Sequence, residues 1–560
     1  MKTATDIVHS LLRTGACAAI AFFLAPVAQA AFVYTNEAPN GVGDVVALTN
    51  ALAQANALTD SARASARIWL KPGLYNLSGV YMTSSSHLRF YVSSGGMIAG
   101  LGEKPDDTIL LGGGETEKHR VLNVDGGGNY GWFTVSNMTV TGGYTSDNGG
   151  GIQGNATTRY RHLIVSNNYA AGSNAAGGGG CMRGRAEYCL FAGNRVGSGT
   201  ANKWGGGFWT DGGGGQQANL IQGAWHCTFS NNWASGRGGG MNLSGKCVDC
   251  KFFGNSSPAG AALHVNNQTY TWFSGKFTNT TEITDCTFLN NAVDSNSTGG
   301  GIYNNSANNV FASNCVFTAN GRSGGASMAH GCDFFDSAFV CNTNYSYITS
   351  RCNLSYCKSI DNIVTGPGDG GVIDYVEKYG ICTNINSLFK GNVMTSYGRL
   401  SKGKTFINCT IVGNDSQNGG NYGYICTPDC KLVNCVLSGN KIGNQYYDIR
   451  PIYGQGTLIT NALDMVNCVF VKSQAGVGED WKNLVNCKKV ADVKFTDAAN
   501  GDYTPMTRSP LYDAGCQEPW LLSLVGDKDL AGNPRVFGKR VDIGAYECQK
   551  LKPGVMLIFR

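Results

Sequence analysis

Charge is sparse in this chain of 560 residues: Asp, Glu, Lys and Arg together make up 14%, against about a quarter in ordinary globular proteins. The formal net charge of +5 is small for the length and is not gathered into runs. That argues against a nucleic-acid-binding protein, which would carry a basic footprint. Proline is scarce too, at 13 residues. Helical periodicity is nearly absent, because the apolar stretches are short and alternate with period 2. Beyond the first thirty residues no apolar run approaches the ~20 needed to span a membrane as a helix, so no transmembrane span is expected.

The beginning reads as a secretory signal. Lys2 and Arg13 supply the positive region, Ala16 to Leu24 the apolar core, and Ala28-Gln29-Ala30 a cleavage site, so an exported mature chain is expected from Ala31. Glycine is abundant at 79 residues, about twice average usage. Of 21 cysteines, Cys17 falls in the signal and 20 remain.

Those cysteines sit in a repeat. "YCLFAGN", "HCTFSNN", "DCKFFGN", "DCTFLNN", "NCVFTAN", "NCTIVGN" and "NCVLSGN" share a Cys, an apolar residue two further on, and an Asn three beyond that. Taking the Asn or its stand-in as marker gives Gly143, Asn168, Asn194, Asn232, Asn255, Asn291, Asn320, Ser337, Asn362, Asn392, Asn414, Asn440 and Ser473, mostly 22 to 38 residues apart. Glycine blocks precede an apolar residue in each unit, as in Gly205-Gly207 with Phe208 and Gly238-Gly240 with Met241. Short alternating strands, glycine corners and irregular unit length predict an all-β, right-handed parallel β-helix whose longer units bulge out as loops. About thirteen coils, stacked at roughly 4.8 Å, would make a rod on the order of 60 Å long.

Parity then assigns faces. Cys227 and Phe229 point into the bore while His226 and Thr228 point out. Stacking turns Cys189, Cys227, Cys250, Cys286, Cys315, Cys409, Cys435 and Cys468 into an internal column, and the Asn markers into a ladder at the following corner. Stacked strands hold Cβ atoms roughly 4.8 Å apart, whereas a disulfide wants nearer 3.8 Å. The column is therefore expected to hold free thiols, and Cys247, Cys341, Cys352, Cys426 and Cys430 are the better disulfide candidates. Cys247-x-x-Cys250 has no matching second pair and makes a poor zinc site.

The recurrent "FxxN" (Phe191-Asn194, Phe229-Asn232, Phe288-Asn291, Phe317-Asn320) alternating with "GGGI"-like blocks resembles the repeats of bacterial polymorphic outer-membrane proteins. That resemblance covers roughly 120–475 and implies a surface-exposed β-helix. The stretch "SPLYDAG…DKDLAGNPRVFGKRVDIGAYE", Ser509 to Glu547, resembles the module called the choice-of-anchor Q domain and implies a surface-associated protein. "ARIWLKPGLYNLSG", with a short helix predicted over Asp44 to Ala57, resembles the N-terminal cap of pectate-lyase-like β-helices. The resulting division is 1–30 signal peptide, 31–119 cap and first coils, 120–475 repeats and 476–560 C-terminal module.

Two sets of residues are candidates for function. The outward positions before and after the Cys column place Asp249 and Asp285 about 5 Å apart, with His226 one coil away and Lys251 nearby. Such a carboxylate pair could bind Ca²⁺ or act in a glycosidase. The competing reading is that this position simply favours short polar residues, since Asn408, Asn434 and Asn467 occupy it later. The second set is aromatic: Trp204, Phe208, Trp209, Trp225 and Trp233, with Lys203, Asp211 and Arg237 interleaved, suits stacking on sugar rings unless several fill the bore. "DKDLAGN" opens like a calcium loop but has Gly538 where a bidentate Glu belongs. The sequence thus favours non-catalytic binding of an extracellular glycan or cell surface, with a polysaccharide lyase or glycoside hydrolase as the alternative.

Overall fold

The computed structural model describes residues 32–552 except 92–94, 125–131, 173–177, 198–202, 211–221, 267–268, 273–274, 279–280, 294–297, 305–309, 322–326, 367–370, 374–382, 396–397, 418–423, 428, 451, 455–456, 460–463 and 474–483. The expected signal segment lies outside the described residues.

The chain is a parallel β-helix. Strands at equivalent places in successive coils pair in parallel register, as in Leu190↔Thr228↔Lys251↔Thr287↔Val316. Three faces result: a long sheet, a second sheet of 13 strands running from Ser86–Arg89 to Tyr424–Cys426, and a narrow third face in two six-stranded stretches. The expected helix forms at Val45–Ala57, N-capped by Asp44, which accepts from the Ala47 N–H at 2.9 Å. Its Leu48, Ala51, Leu52 and Ala55 are buried and join the core, covering the first coil's otherwise open edge. No described helix is long and apolar enough to cross a membrane.

The bore is filled as parity predicts. Phe191, Phe229, Phe252, Phe288 and Phe317 stack ring on ring with centroids 4.4 to 5.1 Å apart and planes within 7°. Beside them runs the cysteine column, extended by Cys357 and Cys487 and interrupted by Ser337 and Ser387, whose hydroxyls accept from the Cys315 and Cys357 N–H groups. Ser337 therefore belongs to this column and not to the Asn ladder, where Asn342 takes the place. The ladder is continuous from Asn168 to Asn440. Along the ladder each Asn accepts from the preceding coil's Asn and donates both to the next Asn and to a main-chain carbonyl of the preceding coil, as Asn232 does to Asn255 (3.0 Å) and Phe191 (2.9 Å). Asp448, not Ser473, terminates it: one carboxylate oxygen accepts from Asn440 and the other from the Val471 and Lys472 N–H groups. Glycine blocks allow coils to approach closely at the opposite corner; a Cβ on Gly207 would stand 2.6 Å from the Gly240 carbonyl oxygen.

All 19 described cysteines are free thiols. Cys247, Cys352, Cys426 and Cys430 are buried and Cys341 is exposed, and none of these off-column residues forms a disulfide with another described cysteine. Burial pushes the Cys189, Cys227 and Cys409 thiols of the column well above their ordinary range and keeps these three protonated.

The C-terminal segment does not cap the last coil. It folds back along the long sheet's outer face, packing Leu511 and Ile543 on Val436 and Val469, Tyr503 and Tyr546 on Leu388 and Val412, and Leu521 and Val525 on Ile407. Polar contacts fix it in place. Tyr356 Oη and Asn386 Nδ2 donate to the Val525 carbonyl (2.6 and 2.7 Å), and Asn434 Oδ1 accepts from Cys516 N–H at 2.9 Å. Within the segment, buried Arg535 donates to the Asp542 and Gly544 carbonyls. Asp529, Asp542 and Glu547 cap backbone N–H groups around it. Asp529 Oδ1, first suspected as a calcium ligand, is occupied by the N–H groups of Ala531 and Asn533 in its own turn.

Candidate functional site

The docked C-terminal segment divides the long sheet into a covered half and an open half. His226, Asp249, Asp285 and Lys251 stand on the open half. Their column is defined by backbone geometry: Asn137, His162, Tyr188, His226, Asp249, Asp285, Asn314, Asp336, Tyr356, Asn386, Asn408, Asn434 and Asn467 all have φ between 47 and 58°. Left-handed φ is tolerated best by Asn, Asp and His, so this corner selects short polar residues whatever their function. His226 Nδ1 lies 2.8 Å from Asp249 Oδ2, and Asn314 Nδ2 donates to Asp285 Oδ1 at 2.6 Å. The two aspartates are thus held by different neighbours, in solvent. Lys251 is exposed and forms no ion pair among the described residues. Tyr188 is the costly occupant of such a position; its ring lies between those of His162 and His226, with centroids 5.1 and 4.6 Å away.

The aromatic set is divided between faces. Trp225 lies on the long sheet, with Arg185 over its ring at 4.0 Å. Trp233 lies on the third face under Arg195. Trp204, Trp209 and Arg237 come together at the second sheet: the two indoles are 6.2 Å apart, and Trp204 bridges Arg237 in parallel. Phe208 fills the bore. Asp211 lies outside the described residues.

Around Trp209 the second sheet builds a site. Phe208, Met241, Leu263 and Ile302 point inward, so their neighbours Trp209, Asn242, His264 and Tyr303 point outward on successive rungs, followed by His330. Although they face away from the bore, Trp209, Asn242 and His264 are 6%, 0% and 3% exposed. His264 Nδ1 lies 2.7 Å from Asn242 Oδ1; an amide oxygen only accepts, so Nδ1 carries the proton and Nε2 keeps a lone pair. Burial, reinforced by the Arg237 charge, pushes His264 down to about 3, and burial takes His330 to about 4. Both rings are neutral at pH 7.

Three polar atoms of this column have no partner among the described residues: the donors Trp209 Nε1 and Asn242 Nδ2 and the acceptor His264 Nε2. Each such buried group costs about 1–3 kcal/mol, and buried polar groups are rarely left so. The column becomes more accessible at Tyr303 and His330, both half-buried, with ring centroids 5.7 and 5.3 Å along the stack. Sequence reasoning reached Trp204, Trp209 and Arg237 but missed Asn242, His264, Tyr303 and His330. The signal was available: each directly follows the apolar residue that follows a glycine block or small-residue corner, one parity step out of the bore.

No family model and no curated protein matches the sequence. Among solved structures the chain is similar to a PL6-family alginate lyase, AlyGC, at 10% identity over 94% of this chain and 60% of that one, with a TM-score of 0.35. It is also similar to the tailspike protein of E. coli bacteriophage HK620 in complex with a pentasaccharide, at 13% identity over 70% and 73%, with a TM-score of 0.31. Third is the PL6 polysaccharide lyase Pedsa3628 from Pseudopedobacter saltans, at 12% over 84% and 94%, with a TM-score of 0.27. The chain spans about three fifths of the alginate lyase's length. At these values the likeness carries nothing about activity or substrate.

Proposed function

We propose that the protein binds an extracellular glycan without turning it over, and that the second-sheet column from Trp209 to His330 is the site. One observation carries this reading: Trp209 Nε1, Asn242 Nδ2 and His264 Nε2 are buried, unpartnered and aligned on consecutive rungs. Two donors and one acceptor in a row, flanked by aromatic rings, suit a sugar, whose hydroxyls both give and accept hydrogen bonds. The expected signal segment, the likeness of the repeats to polymorphic outer-membrane proteins and that of the C-terminal segment to a choice-of-anchor module support placement at an outer cell surface.

A glycan array tests the reading directly. Binding should fall at least tenfold in Tyr303→Ala and His264→Gln, with the unfolding midpoint of Tyr303→Ala little changed. Undiminished binding in both variants would refute the site.

A second reading rests on the same ring. A neutral His264 with a free Nε2 one rung from Tyr303 sets an acceptor beside a donor, which would serve a β-eliminating polysaccharide lyase as base and acid once a bound acidic sugar raised the basicity that burial lowers. Unsaturated products from a polysaccharide panel, lost in His264→Gln, would favour it over binding alone.

A further inference from the structure

On the open half of the long sheet, well apart from the second-sheet column, three arginines converge on one acid. Arg161 Nε lies 2.9 Å from Glu187 Oε2, while Arg185 Nε and Arg159 Nε lie 2.5 and 3.9 Å from Glu187 Oε1. The Glu187 side chain is 11% exposed, whereas those of Arg159, Arg161 and Arg185 are 30%, 43% and 30% exposed. The pattern is dictated by register. Arg159 pairs with Arg185 and Arg161 with Glu187, on the outward parity of adjacent coils whose inward residues are Tyr160 and Ala186.

Three guanidinium groups against one carboxylate leave a net charge of +2 on a few side chains, in a chain whose charge is otherwise dilute. Glu187 engages the arginines through their Nε atoms, and their half-exposed guanidinium ends make no hydrogen bond to a described residue. Two of the arginines are also fixed from below: Arg159 lies over Trp132 at 4.7 Å and Arg185 over Trp225 at 4.0 Å. The buried acid and the two indoles thus hold three planar forks in place, removing much of the rotamer entropy a binder would otherwise lose. The neighbouring column continues the surface with the stacked rings of His162, Tyr188 and His226.

We propose that this surface binds an acidic polysaccharide, with the arginine Nη groups taking carboxylate or sulfate groups and the exposed rings taking sugar faces. Planar forks match carboxylate and sulfate oxygens two at a time. The rungs, roughly 4.8 Å apart, are close to the length of one hexose in an extended chain, so consecutive acidic sugars meet consecutive coils. The inference is independent of the second-sheet site.

The test uses the full chain with heparin and alginate as probes, and with dextran and double-stranded DNA as controls. Wild type should bind the two acidic glycans in a salt-dependent manner, with dextran not competing. The triple variant R161Q/R185Q/E187Q removes two of the three forks and lowers the cluster's net charge from +2 to +1 without stranding a buried carboxylate, and should weaken that binding at least tenfold at an unchanged unfolding midpoint. R161K/R185K retains the charge but not the fork, and should recover only part of the affinity. Should the triple variant prove unstable, salt dependence in wild type still decides. Binding indifferent to salt, binding of dextran equal to that of heparin, binding to DNA alone, or full affinity in a folded triple variant would each overturn the proposal. The triple variant leaves the second-sheet column intact, so failure here is separable from failure at the second sheet.

Discussion

Replacing Asn255 by Ala should break the Asn ladder in the middle of the solenoid. Asn255 Oδ1 accepts from Asn232 N–H and Asn232 Nδ2, both at 3.0 Å, while its Nδ2 donates to the Phe229 carbonyl and to Asn291 Oδ1, both at 2.9 Å. All four bonds are buried. At about 1 kcal/mol each, their loss costs about 4 kcal/mol, and more where the Asn232 N–H is left without any acceptor. Asn255→Asp keeps the acceptor but sets a carboxylate oxygen against the Phe229 carbonyl and Asn291 Oδ1 in a buried site, so it should lose at least as much as Asn255→Ala. The control is Asn290→Ala at the preceding left-handed position, where Ala319 occupies the equivalent place with φ 52°; it should cost about 1 kcal/mol. Amide hydrogen exchange of coils 229–291 reads the local opening energy. A loss below about 1 kcal/mol for Asn255→Ala, or one no larger than the control's, would show that the ladder does not hold the coils together.

Other expectations follow from the buried acids and thiols. Burial raises Glu547 from its ordinary 4.5 to about 8 and Asp542 from 3.8 to about 6. Both are raised, so the docked segment favours their neutral forms. Their contribution is complete below about pH 4 and is lost as pH climbs through 6 and then 8; protection from hydrogen exchange in 509–548, corrected for the base-catalysed intrinsic rate, should therefore fall from pH 5 to pH 9, and protection that rises with pH would refute the sign. Asp249→Asn and Asp285→Asn should leave glycan binding within twofold of wild type, because both positions are set by backbone φ; abolished binding would restore a functional carboxylate pair. Thiol labelling of denatured, unreduced protein should modify the column cysteines, while native protein reacts fastest at Cys341, the exposed one; a denatured protein without free thiols would contradict the column.

Period-2 parity and recurrence were enough to read the bore from the chain, because a coil repeats one side-chain pattern and stacking forces like on like. Cys227, Phe229 and Asn232 fell where their spacing put them. Recurrence failed where the pattern degenerated: with "SAFVCN", counting from Ser337 misses that Asn342 keeps the ladder. The sites were less legible. Trp204, Trp209, Trp225 and Trp233 are close in sequence, yet one coil passes through three faces, so proximity along the chain says little about shared surface. Arg159, Arg161, Arg185 and Glu187 gather only through coil register, across a spacing that no local motif reveals. The back-folding of the C-terminal segment depends on Leu388, Val412 and Val436, outward apolar residues whose partners lie a hundred or so positions away.

That back-folding makes the rod extensible. A terminal lid would tie its own shape to the last coil, so growth at that end would require a matching lid. Here the segment grips the flank between Tyr356 and Val469. Whole coils could be gained or lost ahead of that grip by recombination between repeats, lengthening or shortening the uncovered face while the clasp stays the same. The molecule has the design of a telescoping mast with a fixed clasp: its length is set by repeat number, and the clasp on the flank is indifferent to that number.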